Sequence, residues 1–450
     1  MMTFPRIAVL FLSMLSLVSC SEQQLEQTPV YRIQAGSDLK MFVTTDIHYL
    51  SKSLTDGGAA FQRDLALGDG KQLRYSEELM KAFTYDVQMQ RPDITLISGD
   101  LTNNGEKQSH LDMAGHLAAL ENSTGTEVYV IPGNHDLLNP WAKGFKGPHI
   151  YKTDTINPKT FRKVYRPFGY DEALSRDSHS LSYLAAPSDK LWLLMLDTNM
   201  YRNNKSLRHP QLEGKLSSST LKWIDKCGRL AREKGAAIVG VMHHNLLDHN
   251  ELIQDGFTIQ NNQKISNVLL RNGIHTVFSG HIHIQDISSA QQGSGRIYDI
   301  ANSSLSVYPH QFGILNYSKA SHALDFSTSP LDMELWAAAN GAADPNLQHF
   351  KAYSDSSFGQ LSSAGSYRRL THNNTSLKYT EHQLQAMTDV IECLHKNYFA
   401  GTEVIDLDTI TSSEGYQLWL KAPSSSQKSY VMQLANQRSK DNHHLHIPLP

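Results

Sequence analysis

The sequence predicts an α/β fold followed by a mostly helical C-terminal region, and three observations lead there. Strand-like and helix-like stretches alternate between residues 41 and 131, the alternation resumes between 191 and 279, and from about Leu331 the pattern turns helical. Alternation of this kind calls for a sheet with crossover helices. With 450 residues and 40% hydrophobic content the chain can bury a large core.

The elements follow in order. Met41 to Thr45 reads as a strand, and Ser51 to Gln72, with four glycines, as a long insertion after it. A helix from about Ser76 places Leu79, Phe83 and Val87 on one face. Asp93 to Ser98 and Glu127 to Ile131 read as strands around a helix near Gln108 to Leu120. Next come a strand at Leu191 to Asp197, a helix at Ser218 to Lys234, a strand at Ala237 to Met242, a helix at Ile265 to Leu270 and a strand at His275 to Ser279. Shorter strand signals lie at Arg296 to Ala301, Phe312 to Tyr317 and Ala323 to Ser327. In the last third Thr380 and Gln383 form a capping-box signature before an apolar stripe of Leu384, Met387, Ile391 and Leu394. The expected boundary lies near 330, with residues 38–330 one domain and 331–450 another.

Residues 1–19 are expected to be a signal segment: Arg6 precedes an apolar run from Ile7 to Val18 too short to span a bilayer comfortably. Leu17, Val18, Ser19 and Cys20 resemble a bacterial lipobox, which implies a lipid on Cys20 and attachment to a membrane on its extracytoplasmic side. Polar residues 20–37 would be the tether. Cys227 and Cys393 read as small core residues. Lys plus Arg is 41 against 44 Asp plus Glu, a formal charge of −3, so bulk charge gives no reason to expect a nucleic-acid partner.

The oddity is 22 histidines, the commonest metal ligand. Five short motifs rich in His, Asp and Asn follow predicted strands: Asp46 with His48; Gly99 with Asp100; Gly133, Asn134, His135 and Asp136; His243 with His244; and Gly280, His281 and His283. Strand ends are where α/β folds place their sites. Oxygen and nitrogen donors without thiolate suit Mn, Fe or Zn. On an extended segment residues two apart point the same way, so Asp46 and His48 could grip one ion, and His281 and His283 project together. The Asp100 carboxylate could bridge two ions. Asp136 is expected to fix its loop, and Asp197 and Asn199 to end a strand near the cleft. His110, His116, His149, His179, His209, His443, His444 and His446 lack ligand partners at useful spacing and read as structural or solvated.

In content, order and placement the five motifs resemble the calcineurin-like metallophosphoesterases, over roughly residues 38 to 325. The resemblance implies two facing mixed sheets flanked by helices, an αββα sandwich, holding two divalent ions. Asp46, His48, Asp100 and His283 would take one ion; Asp100, Asn134, His243 and His281 would take the other. His135 would protonate the departing alkoxide after attack by a metal-bridging hydroxide. Two positions depart from common versions: His244 is followed by Asn245 where relatives often have proline, and Asn103 stands where the protein-phosphatase branch has an aspartate. His244, Asn104 and Tyr49 are candidates for substrate contact.

The segments Gly99 to Glu106, Leu194 to Thr198 and Leu54 to Gly58, with the helical tail, are similar to a lipoprotein branch of class III cyclic nucleotide phosphodiesterases. That likeness implies hydrolysis of 3′,5′-cyclic nucleotides, a small-molecule phosphodiester substrate. The rival expectations are a phosphomonoesterase or nucleotidase with the same metals, and a non-catalytic scaffold. The retention of His135 and all seven ligand positions disfavours the scaffold.

Overall fold

The computed structural model describes residues 31–449 apart from 35, 294, 374–378, 403–404 and 437–439. The expected signal segment, Cys20 and most of the tether lie outside the described residues. Fifteen strands occur among the described residues: β1 (Leu39–Thr44), β2 (Ile94–Ile97), β3 (Glu127–Val130), β4 (Lys143–Lys146), β5 (His149–Lys152), β6 (Ser175–Arg176), β7 (Tyr183–Ala185), β8 (Leu191–Leu196), β9 (Ala237–Met242), β10 (Thr276–Ser279), β11 (Asp286–Gln292), β12 (Gly295–Ala301), β13 (Gln311–Ser318), β14 (Ala323–Pro330) and β15 (His444–Pro448). Six form one sheet in the order β15-β14-β13-β1-β2-β3, and seven form a second in the order β11-β12-β10-β9-β8-β7-β6. Both sheets are mixed: β1, β2 and β3 run parallel while β13 is antiparallel to β1, and β8, β9 and β10 run parallel while β7 is antiparallel to β8.

Side-chain alternation along β8 shows how the sheets face. Leu191, Leu193 and Met195 point into one core with Val43 and Leu96 of the other sheet. Trp192, Leu194 and Leu196 pack on the opposite side with Trp223, Ile224 and Cys227 of the helix Ser218–Lys234 and with Ile265 and Leu269 of the helix Asn262–Arg271. A strand buried on both faces must be apolar at every position, which is why β8 reads Leu-Trp-Leu-Leu-Met-Leu. Across the sandwich the Phe278 and Phe326 rings lie 5.9 Å apart, and the Tyr183 hydroxyl donates to Val130 O at 3.0 Å. The fold is therefore the expected two-sheet αββα sandwich, with a helical C-terminal region.

That region packs against the edge of the sandwich nearest the last histidine motif. Leu384, Met387, Ile391 and Leu394, the stripe expected from sequence, bury against Ile282, Ile284 and Trp419. The Thr380 capping box is present, with Thr380 Oγ1 accepting from Gln383 N and Gln383 Oε1 accepting from Thr380 N. Cys227 is buried as expected, but Cys393 is exposed: it falls off the apolar stripe, on the solvent side of the helix Glu381–Ala400. Two features were not legible from sequence. The Ser51–Gln72 insertion contains the helix Ala59–Leu67, and β15 returns from the helical region to extend the first sheet beside β14. Among the described residues no helix is long and apolar enough to cross a membrane.

Candidate functional site

Five strand ends converge where the two sheets meet. Asp46, His48 and His283 bring donor atoms within 4.8 Å of one another, as do Asp100, His243 and His281, and as do His48, Asp100 and His135. Asp100 belongs to the second and third of these groups and His48 to the first and third, so the pair joins all three. Asn134 completes the second group: its side-chain oxygen lies 2.9 Å from His243 Nε2. All seven candidate ligands and His135 are thus brought together.

The backbone route differs from the extended segments expected. Asp46, His48, Asp100, His281 and His283 have φ of 50°, 46°, 48°, 70° and 64°. Left-handed backbone at non-glycine residues is uncommon and costs on the order of 1 kcal/mol or more each, so five such residues at one point mark a site where surrounding structure imposes the geometry. Glycine makes the crowding possible. A β-carbon on Gly133 would lie 2.1 Å from Asp100 Oδ1, and one on Gly280 would lie 2.0 Å from Thr45 Oγ1 and 2.4 Å from Asp46 Oδ2.

Hydrogen bonds then fix which atom of each side chain faces inward. Asp46 Oδ2 accepts from His281 N and from the Thr45 hydroxyl, both at 2.8 Å, while Oδ1 is buried without a partner. That bare oxygen sits 3.3 Å from His283 Nε2 and 3.7 Å from His48 Nε2. The two imidazole nitrogens are 3.1 Å apart. His243 donates its Nδ1 hydrogen to Ser98 O at 3.0 Å, so Nε2 is the nitrogen turned toward the cluster. His281 directs Nε2–H at Leu212 O and Gly256 O, at 3.1 and 3.0 Å, so its lone pair is on Nδ1. Carbonyl partners that fix a tautomer in this way are the usual supports of metal-binding histidines.

Electrostatics divide the imidazoles: burial lowers His243, but the Asp100 and Asp46 carboxylates outweigh it and push it up to about 9. Burial pushes His281 down to about 3, aided by the charge of His243, and burial together with the Lys71 charge holds His48 well below the usual imidazole range. Both are neutral ligands in waiting. Burial would raise the Asp100 carboxyl, yet His243 and His135 hold it well below the ordinary range. The oxygen and nitrogen donors, one carboxylate oxygen bare and one carboxylate shared, could hold two divalent cations.

His135 is aimed rather than enclosed. Its backbone N–H donates to Asp100 Oδ1 at 2.8 Å, and its Nδ1–H donates to Asn103 O at 2.7 Å, with Asn104 Oδ1 at 3.3 Å. A backbone carbonyl thus does the orienting at the position where Asn103 replaces aspartate. Asp136 fixes the loop as expected, accepting from the backbone N–H of Leu101, Thr102 and Gly133 and from the Thr102 hydroxyl.

Two of the three candidate substrate contacts are corrected. Tyr49 is 1% exposed, and its hydroxyl donates to Glu77 Oε2 at 2.7 Å beneath the site. His244 is buried with both nitrogens used: Nδ1 accepts the Thr198 hydroxyl at 2.7 Å and Nε2–H donates to Leu212 O at 3.0 Å. Its role is to wall His281, 4.5 Å away ring to ring. Asn104 lies beside His135, the position from which substrate contact remains open to it. Asp197 and Asn199 serve their loop, Asn199 Nδ2 donating to Pro132 O at 2.7 Å. Sequence reasoning passed over Lys71, whose side chain is only 8% exposed; the signal available was a lysine directly after Gly68, Asp69 and Gly70 at the end of the insertion.

A second, buried network lies under the histidine loops. Asp299 accepts from Leu246 N, Leu247 N and the Ser279 hydroxyl at 2.6, 2.9 and 2.7 Å. His249 bridges Asp286 at 2.6 Å and Asp299 at 3.1 Å, and Asp286 also pairs with Lys440.

Residues 39–285 match the family model described as calcineurin-like phosphoesterase, and residues 332–441 match that of the C-terminal domain of cyclic nucleotide phosphodiesterase. A probable cyclic nucleotide phosphodiesterase of Moraxella catarrhalis (strain BBH18) is 24% identical over 195 residues, 43% of this chain and 58% of that relative. Among solved structures, a dimetal phosphatase from Danio rerio aligns with a TM-score of 0.47 at 13% identity, covering 65% of this chain and 96% of that one. A putative 5′-nucleotidase from Staphylococcus aureus aligns with a TM-score of 0.39 at 13% identity, over 71% and 58% of the two chains.

The buried network sets a pH dependence. Burial lowers His249, but Asp299 and Asp286 outweigh it and push the imidazole up to about 9, against about 6.5 when unfolded. Its stabilisation is complete below about pH 6.5 and is lost as pH rises through about 9. Unfolding midpoints in urea from pH 6 to 10 should fall more steeply for the native chain than for His249→Gln; parallel curves would show that this proton contributes nothing.

Proposed function

The chain belongs to the calcineurin-like phosphoesterase family, and on that premise we propose that it is a dinuclear metal-dependent phosphodiesterase acting on 3′,5′-cyclic nucleotides. The observation that carries the metal-dependent part is the convergence of two donor groups, linked through His48 and Asp100, beside an oriented His135. The substrate class draws support from the family of residues 332–441 and from the printed name of the Moraxella relative.

The residues fit two divalent ions: Asp46 Oδ1 is buried and bare, and the carbonyl partners of His243 and His281 turn their other ring nitrogens to the cluster. Asp46, His48, Asp100 and His283 would hold one, and Asp100, Asn134, His243 and His281 the other. When bound, such ions supply charge that polarises the phosphate and lowers the pKa of water, so no protein nucleophile is required. The chain itself supplies placement and a proton. Ser98 O, Leu212 O and Gly256 O hold the His243 and His281 rings in register. Asn103 O fixes His135 by Nδ1 and leaves Nε2 to the substrate; in its imidazolium form His135 gives that proton to the departing 3′-oxygen. Strained left-handed backbone keeps the ligands from relaxing away.

We also propose that the mature chain is held by a lipid on Cys20 at a membrane face outside the cytoplasm, where it meets extracytoplasmic nucleotides. The lipobox-like residues 17–20 support this. Cys20→Ser should move the protein from the membrane fraction to the soluble fraction; retention of that variant in the membrane fraction, or an unmodified Cys20 in the native chain by mass spectrometry, would exclude the anchor.

Side-by-side turnover of 3′,5′-cyclic AMP, bis-p-nitrophenyl phosphate and p-nitrophenyl phosphate with added Mn tests the activity. The diesters should be preferred, excess chelator should abolish turnover, and His135→Ala should keep its metal while slowing turnover by about 10²-fold or more. Preference for the monoester would favour a phosphomonoesterase or nucleotidase, and full activity in chelator would refute the metal mechanism.

A further inference from the structure

The segment between the helices Ala59–Leu67 and Ser76–Gln90 carries Lys71 to the ligand end of the sandwich. Gln72 N donates to Ser306 O at 2.8 Å, and the hydroxyls of Ser304 and Ser306 donate to Asp46 O at 2.7 and 3.1 Å. Lys71 is therefore one residue from a short hydrogen-bonded path that ends on a candidate ligand. Its charge is felt there by His48 and His135.

The ammonium itself is under-served. The Lys71 side chain is 8% exposed, and its partner is Asp69, 2.8 Å away, whose side chain is 59% exposed. An ammonium has three donors, and burying one against a single rim carboxylate leaves much of its desolvation uncompensated. An anion arriving over the neighbouring imidazoles would complete its coordination.

The loop is not free to move Lys71 away, and what clamps it is the C-terminal region. Gly70, at φ 92°, lies against Phe358; a β-carbon there would approach the ring to 3.2 Å. Phe358 also stacks on Tyr308 with centroids 5.3 Å apart, and Gln72 Nε2 reaches Ser357 Oγ at 3.5 Å. Tyr75 sits edge-on to Phe350 and Tyr353, donates its hydroxyl to Asp344 Oδ2 at 3.0 Å and accepts from Asn346 Nδ2 at 2.9 Å. All these partners beyond residue 340 lie outside the sandwich.

We propose that Lys71 is a substrate-binding residue whose ammonium takes a non-bridging oxygen of the phosphate ester anion in exchange for Asp69, and that the C-terminal helices serve the site by holding the loop that delivers it. The proposal rests on the phosphoesterase reading but not on which ester is the natural substrate.

The test uses the full chain loaded with Mn. For Lys71→Met, Lys71→Arg and Phe358→Ala, KM and kcat are measured on bis-p-nitrophenyl phosphate, alongside binding of inorganic phosphate by calorimetry, Mn per chain and the melting temperature. Lys71→Met should raise KM and weaken phosphate binding on the order of 10- to 100-fold with Mn content and melting temperature unchanged. Lys71→Arg should recover part of the loss, and Phe358→Ala should raise KM in the same sense at unchanged Mn. A native chain that turns over no phosphoester would sink the phosphoesterase reading; phosphate binding weakened by Lys71→Met would still support the lysine's role. If Lys71→Met leaves KM and phosphate binding within about twofold of the native values, or loses activity only in step with Mn, the role is overturned. Native-like KM in Phe358→Ala overturns the part assigned to the C-terminal helices.

Discussion

The constraint on which the structure turns is that carboxylates and imidazoles from two separate sheets must meet within a few ångströms while buried. Asp46 shows how it is met. One oxygen is tied to the backbone of His281, which belongs to the other sheet, and the second is left bare toward His48 and His283. The same bond therefore joins the two halves of the sandwich and aims a donor. Uncompensated, so many polar groups in a low-dielectric interior would be costly; cations at that point turn the cost into affinity.

Much else is support for that arrangement. Gly133 and Gly280 lack β-carbons because the approaching carboxylates occupy the space. Asp136 and Asp299 carry no chemistry in this account, yet each gathers backbone N–H groups from loops that must lie still. The C-terminal helices bury Ile282 and Ile284, residues that flank His283, so the region outside the sandwich bears on the same loop from behind.

The strands, the main crossover helices and the metal-ligand candidates were legible because each depends on local pattern: uninterrupted apolar runs for β8 and β9, helical spacing for residues 218–234, and donor residues just past strand ends. Tyr49 and His244 were misjudged because adjacency in sequence does not say on which side of a strand end a side chain emerges; Tyr49 turns down to Glu77 and His244 turns into its own wall. The left-handed backbone of Asp46 and His281 has no signature in residue type, since glycine or asparagine would be expected there. Lys71 was passed over for another reason: its loop is seated by Ser306 and Phe358, more than 200 positions away.

The central claim is that Asp100 is shared by two divalent ions, and anomalous scattering from crystals of the Mn-loaded chain tests it most directly. The account predicts two peaks about 3.5 to 4 Å apart, with Asp100 touching both, Asp46 and His283 on one side and His243 and His281 on the other. A single peak, or two peaks that do not share Asp100, would contradict it.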